Sequence, residues 1–143
     1  MRFMMLVKAN KESEAGVLPS KELVAAMGKF NDEMAKAGVL LAAEGLHASA
    51  KGARVKFSGR QRTVTDGPFA ETKELLAGFW LIRAKSKDEA LDWASRIPFT
   101  DGEQVEVRQV FEASDFPPEI LAPEDVPREQ AWRDKQRRDT VKR

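Results

Sequence analysis

VTDGPFAETKELLAGFWLIRAKSKDEALDWASRIP, residues Val64 to Pro98, holds three signals that decide the fold: a turn, a strand and a capped helix. In Gly78 to Ala84 (GFWLIRA), Phe79 and Leu81 alternate with Trp80 and Ile82, so both strand faces are apolar and the strand belongs inside a sheet. Ser86-Lys87-Asp88-Glu89 then spells a capping box. Ala90, Trp93, Ala94 and Ile97 supply the buried stripe of a helix that Pro98 ends. Ahead of the strand, Asp66-Gly67-Pro68 marks a sharp turn, because Gly permits unusual dihedrals and Pro fixes φ. Phe69 reads as a core plug beside it.

Working outward, Arg2 to Lys8 (RFMMLVK) is again apolar on both faces and reads as a second internal strand. After a polar loop, Ser20 is the expected N-cap of a helix whose stripe is Leu23, Met27, Phe30 and Met34 and whose stop is Gly38. Val39 to Ala43 is a further strand, ending in the loop Glu44-Gly45-Leu46-His47. Between Ala53 and Thr65, Val55 and Phe57 alternate with polar residues around a Ser58-Gly59-Arg60 turn, which predicts a β-hairpin with one wet face. Val105 to Phe111 closes the domain as a strand. The order predicts an α+β fold of ferredoxin-like βαββαβ plan with an inserted β-hairpin and both helices on one face of an antiparallel sheet. The other face would carry Met4 or Phe3 and Trp80 or Phe79, and so predicts a homodimer.

One domain over residues 1–111 suits a chain of 143 residues with 42% hydrophobic content. Four of the seven prolines fall between Pro117 and Pro127, so residues 112–143 read as a Pro-rich acidic arm followed by a basic tail. Glu112, Asp115, Glu119, Glu124 and Asp125 make residues 112–127 acidic, and Arg128 to Arg143 carries the bases; Arg128 to Arg138 can form a helix with Ala131 and Trp132 as its apolar groups. Nothing in the near-neutral body resembles a nucleic-acid footprint, so nucleic-acid binding is not expected. No run approaches the ~20 apolar residues that cross a bilayer, and a cytoplasmic protein is the expectation.

The chemistry open to the chain is limited. Without cysteine there is no thiolate ligand or nucleophile, and with His47 as the sole histidine no multi-histidine metal site. No glycine spacing makes a phosphate loop, so neither a metal nor a nucleotide cofactor is expected. The candidate catalytic pair is Asp66 with His47, each just beyond a strand end, although Asp66 taken by itself reads first as a structural turn cap. A ligand pocket is expected from Glu44, Ser49, Asp66, Phe69, Lys73 and Trp80, to take an unknown small molecule. Glu71, Lys73 and Glu74 read as a solvated charged patch.

The segment from Val64 to Pro98, most specifically Asp66 to Lys73, resembles the signature of the DGPF-domain subgroup of the YCII-related family. That resemblance implies a dimeric α+β barrel type of ferredoxin-like fold over about residues 1–111. It also implies a His-Asp dyad in a cleft. By spacing, however, the dyad's places fall here near Met27 and at Ile97, neither of which transfers a proton. Some members of the family occur alongside extracytoplasmic-function sigma factors. A regulatory protein partner is therefore the alternative to a ligand-binding or accessory role and to acid-base catalysis by Asp66 and His47.

Overall fold

The computed structural model describes residues 1–70 and 73–141; Glu71 of the expected charged patch and the last two bases of the tail lie outside the described residues, as do the side chains of residues 137 and 139–141. The elements are β1 (Arg2–Lys8), α1 (Lys11–Glu14), α2 (Lys21–Lys36), β2 (Leu40–Gly45), β3 (Ala53–Ser58), β4 (Gln61–Asp66), β5 (Leu76–Arg83), α3 (Lys87–Ser95), β6 (Val105–Gln109) and α4 (Val126–Val141). The mixed α+β architecture centres on a four-stranded antiparallel sheet in the order β2-β5-β1-β6. The two strands apolar on both faces, β1 and β5, are the central pair. Their N–H and C=O groups are satisfied on both sides, which suits side chains that cannot face water.

Register sorts the two faces. Met5 pairs with Trp80 and Phe3 with Ile82, and these four turn to the helices; Met4 pairs with Leu81 and Leu6 with Phe79, and these face away. The core on the helix side joins Phe3, Met5, Trp80 and Ile82 to Phe30 and Met34 of α2 and to Ala90, Trp93 and Ile97 around α3. Edge-to-face rings knit it: Phe30 lies 5.8 Å from Trp80 and 6.3 Å from Trp93.

The helix ends follow their local chemistry. Ser20 Oγ accepts from the Leu23 amide and Ser86 Oγ from the Glu89 amide, each 3.1 Å away. The Glu89 carboxylate reaches back one residue further than the capping box predicts, to the Lys85 amide at 2.8 Å. Gly38 adopts φ 73 after α2, where a side chain would be strained. The expected polar loop after β1 contains a single helical turn, α1, because Asn10 and Ser13 cap each other reciprocally.

Two regions depart from expectation. The hairpin β3–β4 forms its own two-stranded sheet and is exposed throughout, on the apolar face as well as the wet one. Among the described residues Val55 meets only Val64 across the hairpin and Phe57 only the Arg62 guanidinium, 4.5 Å over its ring, and all stay exposed because the hairpin leaves the main sheet instead of extending it. The Pro-rich arm makes short 3-10 turns at Ala113–Asp115 and Pro123–Asp125, and the helix read over Arg128 to Arg138 follows as α4, longer than expected. Arg2 fastens its start through two hydrogen bonds to the Glu112 carboxylate, 2.7 and 3.2 Å long. This brings Arg133 of α4 beside Met4 and Leu6, so the face expected to be bare is partly covered by the chain's own C-terminal segment. Among the described residues no helix is long and apolar enough to cross a membrane.

Candidate functional site

Beyond the margin of the packed core, which Met27 still touches, the first half of α2 bridges a cavity of about 650 Å³. Leu23, Met27 and Asn31 form its roof, Val7, Ala43, Gly78 and Trp80 its floor, and the 16–19 loop, His47 and Phe99 its walls. Small residues hold the space open. A Cβ on Gly28 would meet nothing within 4 Å, and Gly78 has no side chain because a Cβ there would stand 2.8 Å from the Glu44 carbonyl oxygen. The mouth is rimmed by Val17, Leu18, Val24 and Leu46, which are 49% to 85% exposed. A contiguous apolar rim around an apolar cavity is unusual on a monomer surface, where large exposed apolar patches mark binding sites.

Polar residues, Lys8, Glu12 and Ser13 among them, share the lining with a larger apolar surface. Asn31 Oδ1 accepts from the Trp80 indole N–H at 2.8 Å, which orients the ring and presents the amide at the roof. Asn10 donates to Glu103 Oε1 at 3.4 Å, and both line the wall. Asn31 follows Met27 by four residues, inside the apolar arc of α2. Asn31 is not among the residues expected in the pocket from the sequence; a polar residue inside a buried stripe is the signal that could have found it.

Of the residues expected in the pocket, Glu44 and Trp80 line this cavity, and so does His47 of the candidate catalytic pair. Glu44 pairs with Phe79 across the sheet and shares its face, so Glu44 lines the cavity with backbone while its carboxylate is directed to the opposite side. Ser49, Asp66, Phe69 and Lys73 are not on the lining. Asp66 ends β4 opposite Ala53, exposed, and no hydrogen bond among the described residues joins its carboxylate to His47.

The Asp-Gly-Pro-Phe turn instead locks the base of the hairpin. Ser49 donates from its amide and its hydroxyl to the Glu14 carboxylate, and its Oγ accepts from the Phe69 amide at 3.0 Å. The Gly67 amide donates to the Gly52 carbonyl at 3.0 Å. A Cβ on Gly67 would stand 1.8 Å from the Ser49 carbonyl oxygen, so only glycine allows this approach. The Gly67-Pro68 peptide is cis, and the Arg54 guanidinium lies 3.8 Å over the Phe69 ring. These contacts tie α1, the 49–52 turn and the hairpin together.

A second, shallower groove of about 430 Å³ lies on the other side of the sheet, between Met4, Leu6 and α4. The Glu112 carboxyl near it is held below its ordinary pKa, chiefly by the hydrogen bond from Arg2; burial, the next largest effect, opposes this, and the charges of Arg2 and Arg133 add smaller lowering effects. No group of three or more His, Cys, Asp or Glu able to hold a metal ion occurs among the described residues.

Comparison with known proteins agrees with the signature in the sequence. The model of the YCII-related domain matches residues 1–114. An uncharacterised protein of Rhizobium meliloti (strain 1021) is 34% identical over 112 residues, which cover 76% of this chain and 86% of that one. Among solved structures, the 5-chloro-2-hydroxyhydroquinone dehydrochlorinase of Burkholderia phenoliruptrix AC1100, in complex with 2,5-dihydroxybenzoquinone, is similar with a TM-score of 0.44 and 16% identity, covering 82% of this chain and all of that one. The chain belongs to the YCII-related domain family.

Proposed function

We propose that this protein binds a small, largely apolar organic molecule in the cavity under α2, as a homodimer of ferredoxin-like, dimeric α+β barrel type. The observation that carries the reading is the apolar cavity with an apolar, solvent-exposed mouth and an oriented Asn31–Trp80 pair inside it. Its volume falls within the range of ligand pockets, roughly 300–1,000 Å³. Acid-base catalysis would require His47 and Asp66 to act on one molecule. His47 stands at the cavity and Asp66 at the hairpin base, so binding is the reading we carry. A homodimer is supported by the bare apolar side of the hairpin and by Phe79 and Leu81 on the outer sheet face. A monomer in sedimentation equilibrium at micromolar concentration would remove that part. The exposed Ile120 and Trp132 of the arm favour, as a second role, docking of a regulatory protein; a partner still captured after deletion of residues 112–143 would end it.

The test of the cavity uses 2-naphthol as probe and ligand-detected NMR as readout. Binding to the native protein and to Gly28→Ala, but not to Gly28→Phe with unchanged circular dichroism, is the expected result, since a ring at position 28 fills the space. No binding to the native protein, or equal binding to Gly28→Phe, would overturn the reading.

A further inference from the structure

We propose that the groove between the outer face of the sheet and α4 is a second binding site, for a small organic carboxylate carried on an apolar body. The groove is lined by Met4, Leu6, Val110 and Phe111 together with two guanidiniums, Arg108 and Arg133, and no carboxylate is on the lining. Two positive side chains over an apolar floor match an anionic head and a hydrocarbon tail, and guanidinium is the side chain best shaped to grip a carboxylate.

The state of the two arginines strengthens the assignment. Arg133 Nε is buried without a hydrogen-bond partner among the described residues, a cost that folded proteins seldom tolerate unless something supplies the acceptor. Its other contact, to Glu129, is a single long one of 3.6 Å, and Arg108 meets Glu106 at 3.8 Å. Neither guanidinium is gripped by a bidentate acid, in contrast to Arg2 on Glu112. A carboxylate entering between them supplies the acceptor that Arg133 lacks after a small rotation of its side chain. Phe111, 65% exposed, then forms a wall on which a ring can stack.

The experiment titrates sodium benzoate into the full-length protein at constant ionic strength, following backbone amide NMR shifts, with benzamide as the neutral isostere. Saturable shifts at residues 108–111 and 132–134, with benzamide about tenfold weaker, are expected. Arg108→Gln, at an exposed strand position, should weaken benzoate by fivefold or more, as should Arg133→Met. Should Arg133→Met fray α4, Arg108→Gln decides alone. Equal affinity for benzamide, or unchanged benzoate binding by folded Arg108→Gln, would overturn the proposal. Gly28→Phe must leave benzoate binding intact; its loss there would mean that benzoate enters the cavity under α2 and would equally overturn it.

Discussion

The two halves of α2 carry one apolar stripe and meet opposite fates. Phe30 and Met34, in the second half, are 4% and 0% exposed and touch the rings of the core. Leu23 and Met27, in the first half, roof a cavity. The difference does not lie in the helix. It lies in what stands opposite: Trp80, which also floors the cavity, joins Phe3 and Trp93 beneath the second half, whereas the small or half-buried Gly78, Ala43 and Val7 lie beneath the first. An apolar side chain is therefore evidence of a face turned from water, and not of a face that is filled.

Truncation measures this contrast most strongly. Met34→Ala should cost about 3 kcal/mol in urea denaturation, by lost burial plus a new cavity, whereas Met27→Ala should cost less than about 1 kcal/mol because the space beside it is already open. Equal losses would mean that the cavity is closed in solution. Next, Asn31→Leu leaves the Trp80 indole N–H without its acceptor and should cost about 1–2 kcal/mol, with a shift in tryptophan fluorescence as a second readout. No change in either would show that the pair does not organise the roof. In the opposite direction, Gly28→Ala should stabilise by about 0.5–1 kcal/mol, since its Cβ meets nothing and glycine is a poor helix former.

The smallest effect concerns the arm. Because the Glu112 carboxyl is lowered in the folded protein, its pairing with Arg2 adds stability above the carboxyl's unfolded pKa, and that stability is lost as pH falls through the folded value. Acid should thus release the arm before the domain unfolds, seen as a change in Trp132 fluorescence that Arg2→Gln moves to higher pH. The effect is small because the pair is partly solvated. Coincident transitions of arm and core would sink it.

Strands, helices and caps were legible because each rests on local chemistry. Alternation in Arg2–Lys8 and Gly78–Ala84 located the central strands, and Ser20 and Ser86 located the helix starts. The site was legible only in part. Trp80 and residues Glu44 to His47, at and just beyond the end of β2, reach the cavity, but Asp66 and Phe69, the most conspicuous residues in the chain, are engaged in a junction with Ser49 and Arg54. A turn motif announces a backbone requirement, here the close approach at Gly67, and that requirement says nothing about which cleft it borders.

What the sequence by itself determined is the α+β pattern, the glycines that the turns require and the family signature, since periodicity, capping and backbone sterics act over a few residues. Which of Phe3 or Met4 and Trp80 or Phe79 turns inward, where α2 is left unfilled, and that the arm returns across the outer face were decided only in three dimensions. Those outcomes depend on register and on the sizes of residues far apart in the chain, and no local pattern encodes what will stand opposite a side chain once the layers meet.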